Sequence, residues 1–527
     1  MTFAPSRAAW LQYIVMVAGL GAVTLGAAAV GNGDPIVTLA PTLALTVVWV
    51  IWKLPLRYLA LTVLYLVLAV DYTPERPQSM FWPSPLFPLG KLLFTQMHEL
   101  VGIGALRFPL IDGLIIGSIG IGIWRRAKKS TIDPPVVPIP RPLAVVLAIS
   151  FFSIMWMEVW GIVRGGDIKN SLWQWHQAAV LPLVAMMYHY SLRGPEDWPV
   201  VARTIILAAL TKSAVSTYFA LVVIPAQGLE VEYTTCHSDS MTFICAITVC
   251  IARWLERPKS GHAIRGLIII ILVFIGMFFN DRRLAYVSLV GGLAAAYFFN
   301  PWTPLKKFIT RGLIACSPLL IVYFLVGWNS SSGVFKPVAT FRSIIEGQHA
   351  EGELDYRDIE NLNLIATWNT NPVFGTGYGH EFLEPYPLPN IAFVFPTYRF
   401  HPHNSLLGLL AFGGWFGFTG VWMYLVVTVY LSARSYHRAY AAEHRTACLV
   451  IVGVVASYLN QVFGDMGIIS YICTFQVAVM SVLAGKLAMV TGAWPWPQRE
   501  KVLGLKRVEP PPPEEPRPVT VDAGQVA

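Results

Sequence analysis

The residues able to do chemistry cluster in the second half of this chain. Arg282 and Arg283 stand together in the run NDRRLA (280–285), and Arg357 follows in YRDIE (356–360). His401-Pro402-His403-Asn404 then opens the apolar run beginning at Ser405. Guanidinium groups bind phosphate oxygens in pairs without a metal ion. An imidazole exchanges a proton near neutral pH. Arginines and a histidine on one side of a bilayer suit a site that binds an anionic, lipid-linked substrate and moves a proton at the membrane surface. The six cysteines form no CxxC pair and mostly lie inside apolar segments, so neither a disulfide framework nor a zinc site is expected.

Composition identifies the elements that must hold these groups. Of the 527 residues, 55% are hydrophobic and 13% charged, with a mean hydropathy of +0.56. Soluble domains carry roughly a quarter charged residues. The expected fold is therefore all-α, a polytopic transmembrane helix bundle with a large external loop containing short amphipathic helices. The net charge of +8 does not point to nucleic acid, because most basic residues sit in short clusters between apolar runs, where they set orientation.

Apolar runs predict about fourteen spans. They lie near 10–30, 36–52, 54–70, 109–124, 142–160, 178–190, 204–224, 240–254, 264–279, 284–299, 313–327, 405–431, 446–463 and 467–490. The run at 178–190 is the shortest. The first run exceeds the apolar core of a signal peptide and reads as an uncleaved span. The Pro- and aromatic-rich stretch 71–108 suits the bilayer interface. Arg125-Arg126-Ala127-Lys128-Lys129 is the strongest positive-inside signal, and counting from it places both termini in the cytoplasm. The same count puts Arg282, Arg357 and His403 on the outer face.

Residues 1–508 then form the transmembrane domain, including the external loop 328–402, and the proline-rich tail 509–527 is a disordered cytoplasmic extension. A loop of roughly 75 residues exceeds a plain connection and calls for a function. Within it, Ile359, Leu362, Ile365 and Ala366 recur at helical spacing and predict an amphipathic helix lying against the membrane domain. Asn371-Pro372 ends that helix, and Gly375, Gly377 and Gly379 allow a tight turn.

Several of these residues carry two readings. Arg357 either meets a phosphate at a helix start or pairs with Asp355, Asp358 or Glu360 on a wet face. Arg282 and Arg283 are either site residues or interface anchors beside Asp281. His403 either accepts a proton or bonds to the interfacial backbone, while Asn404 is placed to cap the helix starting at Ser405. Lys212, inside the 204–224 run, either contacts a lipid phosphate or snorkels to the surface. Gly413 and Gly417, at GxxxG spacing, suit close helix packing together with Gly420. Glu351, Glu353 and Asp355 read as a solvated acidic face rather than a cation site, and His176 reads as an interfacial residue.

Three motifs in order, NDRRLA (280–285), YRDIE followed by NPVFGTGYGHEF (371–382), and HNSLLGLLAFGGWFGFTG (403–420), resemble those of the O-antigen ligase and polymerase superfamily. The resemblance covers roughly the second half of the chain. One departure is Arg283, where the family has a small residue; register favours Arg282 as the motif arginine. The resemblance implies transfer of an oligo- or polysaccharide from undecaprenyl diphosphate to an acceptor hydroxyl on a glycan or lipid A-core, at the periplasmic face of a bacterial inner membrane. The expected chemistry is inverting and needs neither metal nor cofactor. Arg282 and Arg357 would bind the diphosphate and His403 would act as general base. Arg283, Lys212, Arg399, His401, Asn404 and Tyr378 would contact substrate. A transporter or flippase of the same lipid-linked sugars is the rival expectation, and it favours repeated halves, broken helices and charges deep in several spans.

Overall fold

In a computed structural model the described residues form helices joined by turns and loops, with no strand among them. These are residues 7–30, 35–70, 84, 86–101, 108–228, 231, 234–258, 260–330, 332–335, 337–339, 341–342, 356–392, 395–465 and 467–495. The tail 509–527, the acidic residues Glu351, Glu353 and Asp355, and much of the stretch 71–108 lie outside them.

Each apolar run read from the sequence coincides for most of its length with helix, though 54–70 and 467–490 overrun Leu56–Ala69 and Tyr471–Val490. Seven helices among the described residues are long and apolar enough to cross a membrane: Arg141–Val163, Pro195–Gln227, Gly261–Asn280, Pro304–Gly327, Ser405–Arg438, Ala442–Gly464 and Tyr471–Val490. The short run at 178–190 belongs to a longer helix, Ile168–Ser191, of 24 residues. Asp167 caps it by accepting the Asn170 N–H at 2.8 Å, and the polar turn that follows hides the start of the helix from hydropathy.

The Tyr471–Val490 helix is apolar all round and wholly buried, as such a helix must be. It packs among the Ile168–Ser191, Ser405–Arg438 and Ala442–Gly464 helices. The apolar window of Pro304–Gly327, by contrast, is entirely exposed, a surface suited to lipid. Between the Ser405–Arg438 and Arg141–Val163 helices the spacing is set by glycine. A Cβ at Gly413 or Gly417 would run into Met157, and one at Gly420 into Ser153.

The Ser405–Arg438 helix is broken at Gly414, whose φ of 56° and ψ of −161° lie in a region open essentially to glycine alone. The break frees backbone groups, and the turn 372–377 binds them. Thr376 and Gly377 donate their N–H groups to the carbonyls of Ala411 and Phe412 at 3.0 and 2.8 Å. Trp415 and Phe416 donate theirs to the carbonyls of Pro372 and Val373 at 2.8 and 3.0 Å. The connection between two membrane helices is thus spliced into one of them.

The predicted loop helix forms at Tyr356–Thr370, but it turns the other way. Its buried residues are Glu360, Asn363, Leu364 and Thr367, whereas Leu362 and Ile365 are exposed. Hydrogen bonding outweighs hydropathy here. Asn363 exchanges two bonds with the Tyr386 backbone, at 2.8 and 3.0 Å, and the Thr367 hydroxyl accepts the Leu383 N–H at 2.8 Å.

Buried ionic groups pin both ends of the bundle. Lys212 is fully buried and pairs with Asp239 at 3.0 Å, which also accepts the Cys236 N–H at 3.0 Å. At the other end Lys486 donates to the carbonyls of Val137 and Leu192, each at 2.8 Å. Both features give predictions. Lys212→Met strands a buried carboxylate, which costs about 3–5 kcal/mol, and should lower the thermal midpoint and folded yield of the purified protein. Gly414→Ala should destabilise by at least ~1–3 kcal/mol from backbone strain alone. Gly312→Ala, with open space around it, should leave the thermal midpoint unchanged or raise it slightly.

Candidate active site

At one end of the bundle, segments that are far apart in sequence meet around the start of the Ser405–Arg438 helix. Asn404 caps that helix, its side-chain oxygen accepting the Leu407 N–H at 3.1 Å while its amide donates to Asn361 at 3.0 Å. The cap fixes the chain just before it, and His403 is held there by Glu360 of the loop helix. The His403 backbone N–H donates to one Glu360 oxygen at 3.0 Å, and Nδ1 meets the other at 3.1 Å. A carboxylate only accepts, so Nδ1 carries the hydrogen and Nε2 keeps the lone pair. Glu360 is buried and His403 remains 21% exposed on its side chain, which leaves a route to that nitrogen.

The Tyr356 ring stands edge-on to His403 at 5.8 Å. Burial, reinforced by the Glu360 carboxylate, pushes its phenol up and keeps it protonated. Its hydroxyl is buried with no hydrogen-bond partner among the described residues.

Arg357 lies one turn before Glu360 on the same helix and is exposed. It donates at 2.7 Å to the carbonyl of Gly464, the last residue of the Ala442–Gly464 helix. A cation at a helix C-terminus is favoured by the helix dipole. Among the described residues this occupies one of its five N–H donors. Of the carboxylates considered for Arg357 in the sequence, Asp358 and Glu360 make no ion pair with it among the described residues, and Asp355 lies outside them.

The NDRR run is a turn between two helices. Asn280 ends Ser260–Asn280 and accepts at its side-chain oxygen the Thr235 N–H and hydroxyl, at 3.1 and 3.0 Å. Asp281 adopts a left-handed backbone, φ 58°, which Asp tolerates better than most residues. Arg282, half-buried, then takes the N-cap position of the helix Arg283–Phe299 without a side-chain capping bond. Leu284 packs against Gly464, the residue whose carbonyl holds Arg357. The two arginine segments therefore share a neighbour, and the loop helix links the second to His403.

His237 and Asp465 join this region without having been singled out in the sequence. His237 Nδ1 meets Asp465 at 2.8 Å, directly after Gly464. The Asp465 backbone carbonyl faces the Ser405 hydroxyl at 3.5 Å. Neither residue lies in a recognisable motif, since Asp465 follows an apolar helix and His237 a short polar turn. Glu360 had a signal, its position one turn after Arg357, but hydropathy placed it on the wet face.

The other expected contacts are placed differently. Arg283 is exposed at the first turn of its helix. Arg399 is matched by two carboxylates, Glu381 at 3.1 Å and Glu384 at 2.8 Å. Lys212, sealed against Asp239, neither snorkels nor reaches the surface. Tyr378 and His401 line a cavity of about 50 Å³ with Gln174 and Ser405. Ligand sites typically span about 300–1,000 Å³, so this cavity does not admit a sugar ring. Burial pushes the His401 imidazole down to about 4, so it stays neutral around neutral pH. His176 proves to be tied into the fold, its Nε2 on Asp112 at 2.5 Å with Tyr471 donating to the same carboxylate at 2.9 Å.

Against known proteins, residues 268–422 match the family model described as O-antigen ligase. The matched span takes in the NDRR turn, the loop helix, the spliced turn and the His403 cap, and stops before Asp465. No curated protein matches the chain. Over residues 268–422, the part that builds most of this site, the chain is similar to the O-antigen ligase family.

Proposed function

We propose that this membrane enzyme transfers an oligo- or polysaccharide from undecaprenyl diphosphate to an acceptor hydroxyl at the periplasmic face of a bacterial inner membrane. The observation that carries the reading is the Glu360–His403 pair, at 3.0 and 3.1 Å, with Arg357 one helical turn away. Sidedness rests on charge. The helix ends opposite the site carry Arg125, Arg126, Lys128, Lys129, Lys306, Lys307, Arg434, Arg438 and Arg445, the pattern of a cytoplasmic face.

In this mechanism Arg357 and Arg282 bind the diphosphate of the donor, and their charges stabilise the leaving group as its bond to the anomeric carbon lengthens. The acceptor oxygen attacks that carbon from the opposite side. The C–O bond to phosphate breaks, undecaprenyl diphosphate departs with the electron pair, and the acceptor proton passes to Nε2 of His403. The anomeric configuration inverts. Glu360 fixes the tautomer and steadies the imidazolium that forms, and the Tyr356 hydroxyl supplies a further donor beside it. The arginines do the work for which other transferases use a divalent cation.

One span is broken, as transporters use breaks, but here the gap is filled by the 372–377 turn rather than opened to a pathway. That favours surface chemistry over translocation.

Purified protein given undecaprenyl-diphosphate glycan and a hydroxyl acceptor should form product of inverted anomeric configuration. Because a general base contributes about 10²–10⁴-fold, His403→Ala should lower turnover by that order. Glu360→Gln should lower it by a smaller factor at unchanged KM. Arg357→Ala and Arg282→Ala should weaken donor use, while Arg399→Gln should have little effect. Full activity in the first four variants, or lipid translocation without a new glycosidic bond, would contradict the proposal.

A further inference from the structure

The basic run that ends the Leu110–Ala127 helix looks, in sequence, like an orientation signal only. In the fold it borders a cavity of about 480 Å³, enclosed with the turn that follows it and with Tyr190 near the end of the Ile168–Ser191 helix. That volume is within the range of small-molecule sites. Tyr190 lies roughly 24 Å along its helix from Gln174, which lines the small cavity beside His401, so the two cavities are separate.

The charges lining this cavity do not balance. Asp133, the one carboxylate in its wall, is fully engaged, accepting from Arg125 Nη1 at 2.7 Å and from the Leu56 N–H at 2.8 Å. Arg125 is buried and gives its remaining bonds to the carbonyls of Trp52 and Leu54, at 2.5 and 2.9 Å, so it is scaffold. Arg126 and Lys129 also line the wall, and among the described residues neither meets a carboxylate. Arg126 bonds to His189, at its ring nitrogen and its carbonyl, at 3.2 and 3.3 Å, and its guanidinium lies over the Tyr190 ring at 4.3 Å. Those contacts orient the cation without cancelling it. Lys129 sits at a left-handed turn position, φ 49°, and Ser130 and Thr131 bring hydroxyls to the same wall. Trp52 and Trp124, packed at 4.6 Å and partly exposed, mark this level as a membrane–water boundary.

We propose that this cavity binds the phosphate headgroup of an anionic membrane lipid, with Arg126 and Lys129 on its oxygens and the Ser130 and Thr131 hydroxyls completing the shell. Basic pockets between membrane helices at the cytoplasmic side take such headgroups. The shared chemistry is phosphate, and a free phosphate is the other possible source. A bound lipid would tie the start of the Leu56–Ala69 helix to the ends of the Leu110–Ala127 and Ile168–Ser191 helices, so occupancy should be visible as stability.

The test uses the full chain in detergent, with phosphatidylglycerol, phosphatidylcholine or inorganic phosphate added, read by thermal midpoint and by native mass spectrometry. Phosphatidylglycerol should raise the midpoint by several degrees and stay bound, and phosphatidylcholine should do neither. Lys129→Gln should cut phosphatidylglycerol retention at least about threefold, and Arg126→Gln with Lys129→Gln should abolish it. Lys129 is exposed, so the single variant remains informative if the double variant folds poorly. Equal response to the two lipids, or undiminished retention in Lys129→Gln, would overturn the site. Stabilisation by inorganic phosphate equal to that by phosphatidylglycerol would overturn the lipid as its source.

Discussion

The fold turns on the unpaired backbone at Gly414. In a bilayer each unsatisfied N–H or carbonyl costs several kcal/mol, so a break inside an apolar helix survives only if something else in the protein binds the freed groups. Here a distant turn does so with four main-chain bonds. The requirement works in both directions. The helix depends on the turn to satisfy its backbone, and the turn, once docked, fixes the segment between the Pro304–Gly327 and Ser405–Arg438 helices against the bundle. Gly377 presses on Gly161, Gly379 on Asp167, and Gln174 accepts the Gly379 N–H at 2.7 Å. The loop is thereby held on rigid supports.

From that anchorage follows the electrostatic character of the site. The loop helix reaches the mouth of the broken span with its polar face inward, and Glu360 is buried where it holds both the His403 backbone and its ring, next to the Asn404 cap. The same helix places Arg357 over the end of Ala442–Gly464, where the helix dipole and a carbonyl hold the guanidinium at the surface. One exposed cation, Arg357, thus stands a helical turn from the buried carboxylate that holds His403. At the other end of the bundle Arg57, Arg257 and Arg445 pair with carboxylates, whereas Arg126 and Lys129, at the edge of a cavity, meet none among the described residues.

Much of this was legible in the sequence. The apolar runs gave the helices because hydropathy over a span averages many residues, and the His-Asn helix start followed from capping chemistry. Arg282, Arg357 and His403 were found as motif residues and do lie in adjoining segments. What the sequence obscured was direction. Leu362 and Ile365 announced an inward apolar face, but in a protein whose surroundings are themselves apolar, outward is a comfortable side for them, and Asn363, Thr367 and Glu360 had loop backbone to satisfy. Lys212 was misjudged for a related reason. Its partner Asp239 stands 27 residues away at the head of another helix, and pairing over that distance leaves no local pattern. His237 and Asp465 escaped notice because a dyad assembled from two unrelated turns has no spacing to read.

We propose that the spliced loop, with the 280–285 turn near it, presents Arg357, Arg282 and a glutamate-held His403 to a lipid diphosphate. The most direct measurement is an experimental structure of the protein in lipid nanodiscs with a non-transferable undecaprenyl-diphosphate sugar. The account predicts diphosphate oxygens within hydrogen-bond distance of Arg357 and Arg282, and the anomeric carbon on the Nε2 side of His403. A diphosphate bound elsewhere, with His403 turned away from the sugar, would contradict it.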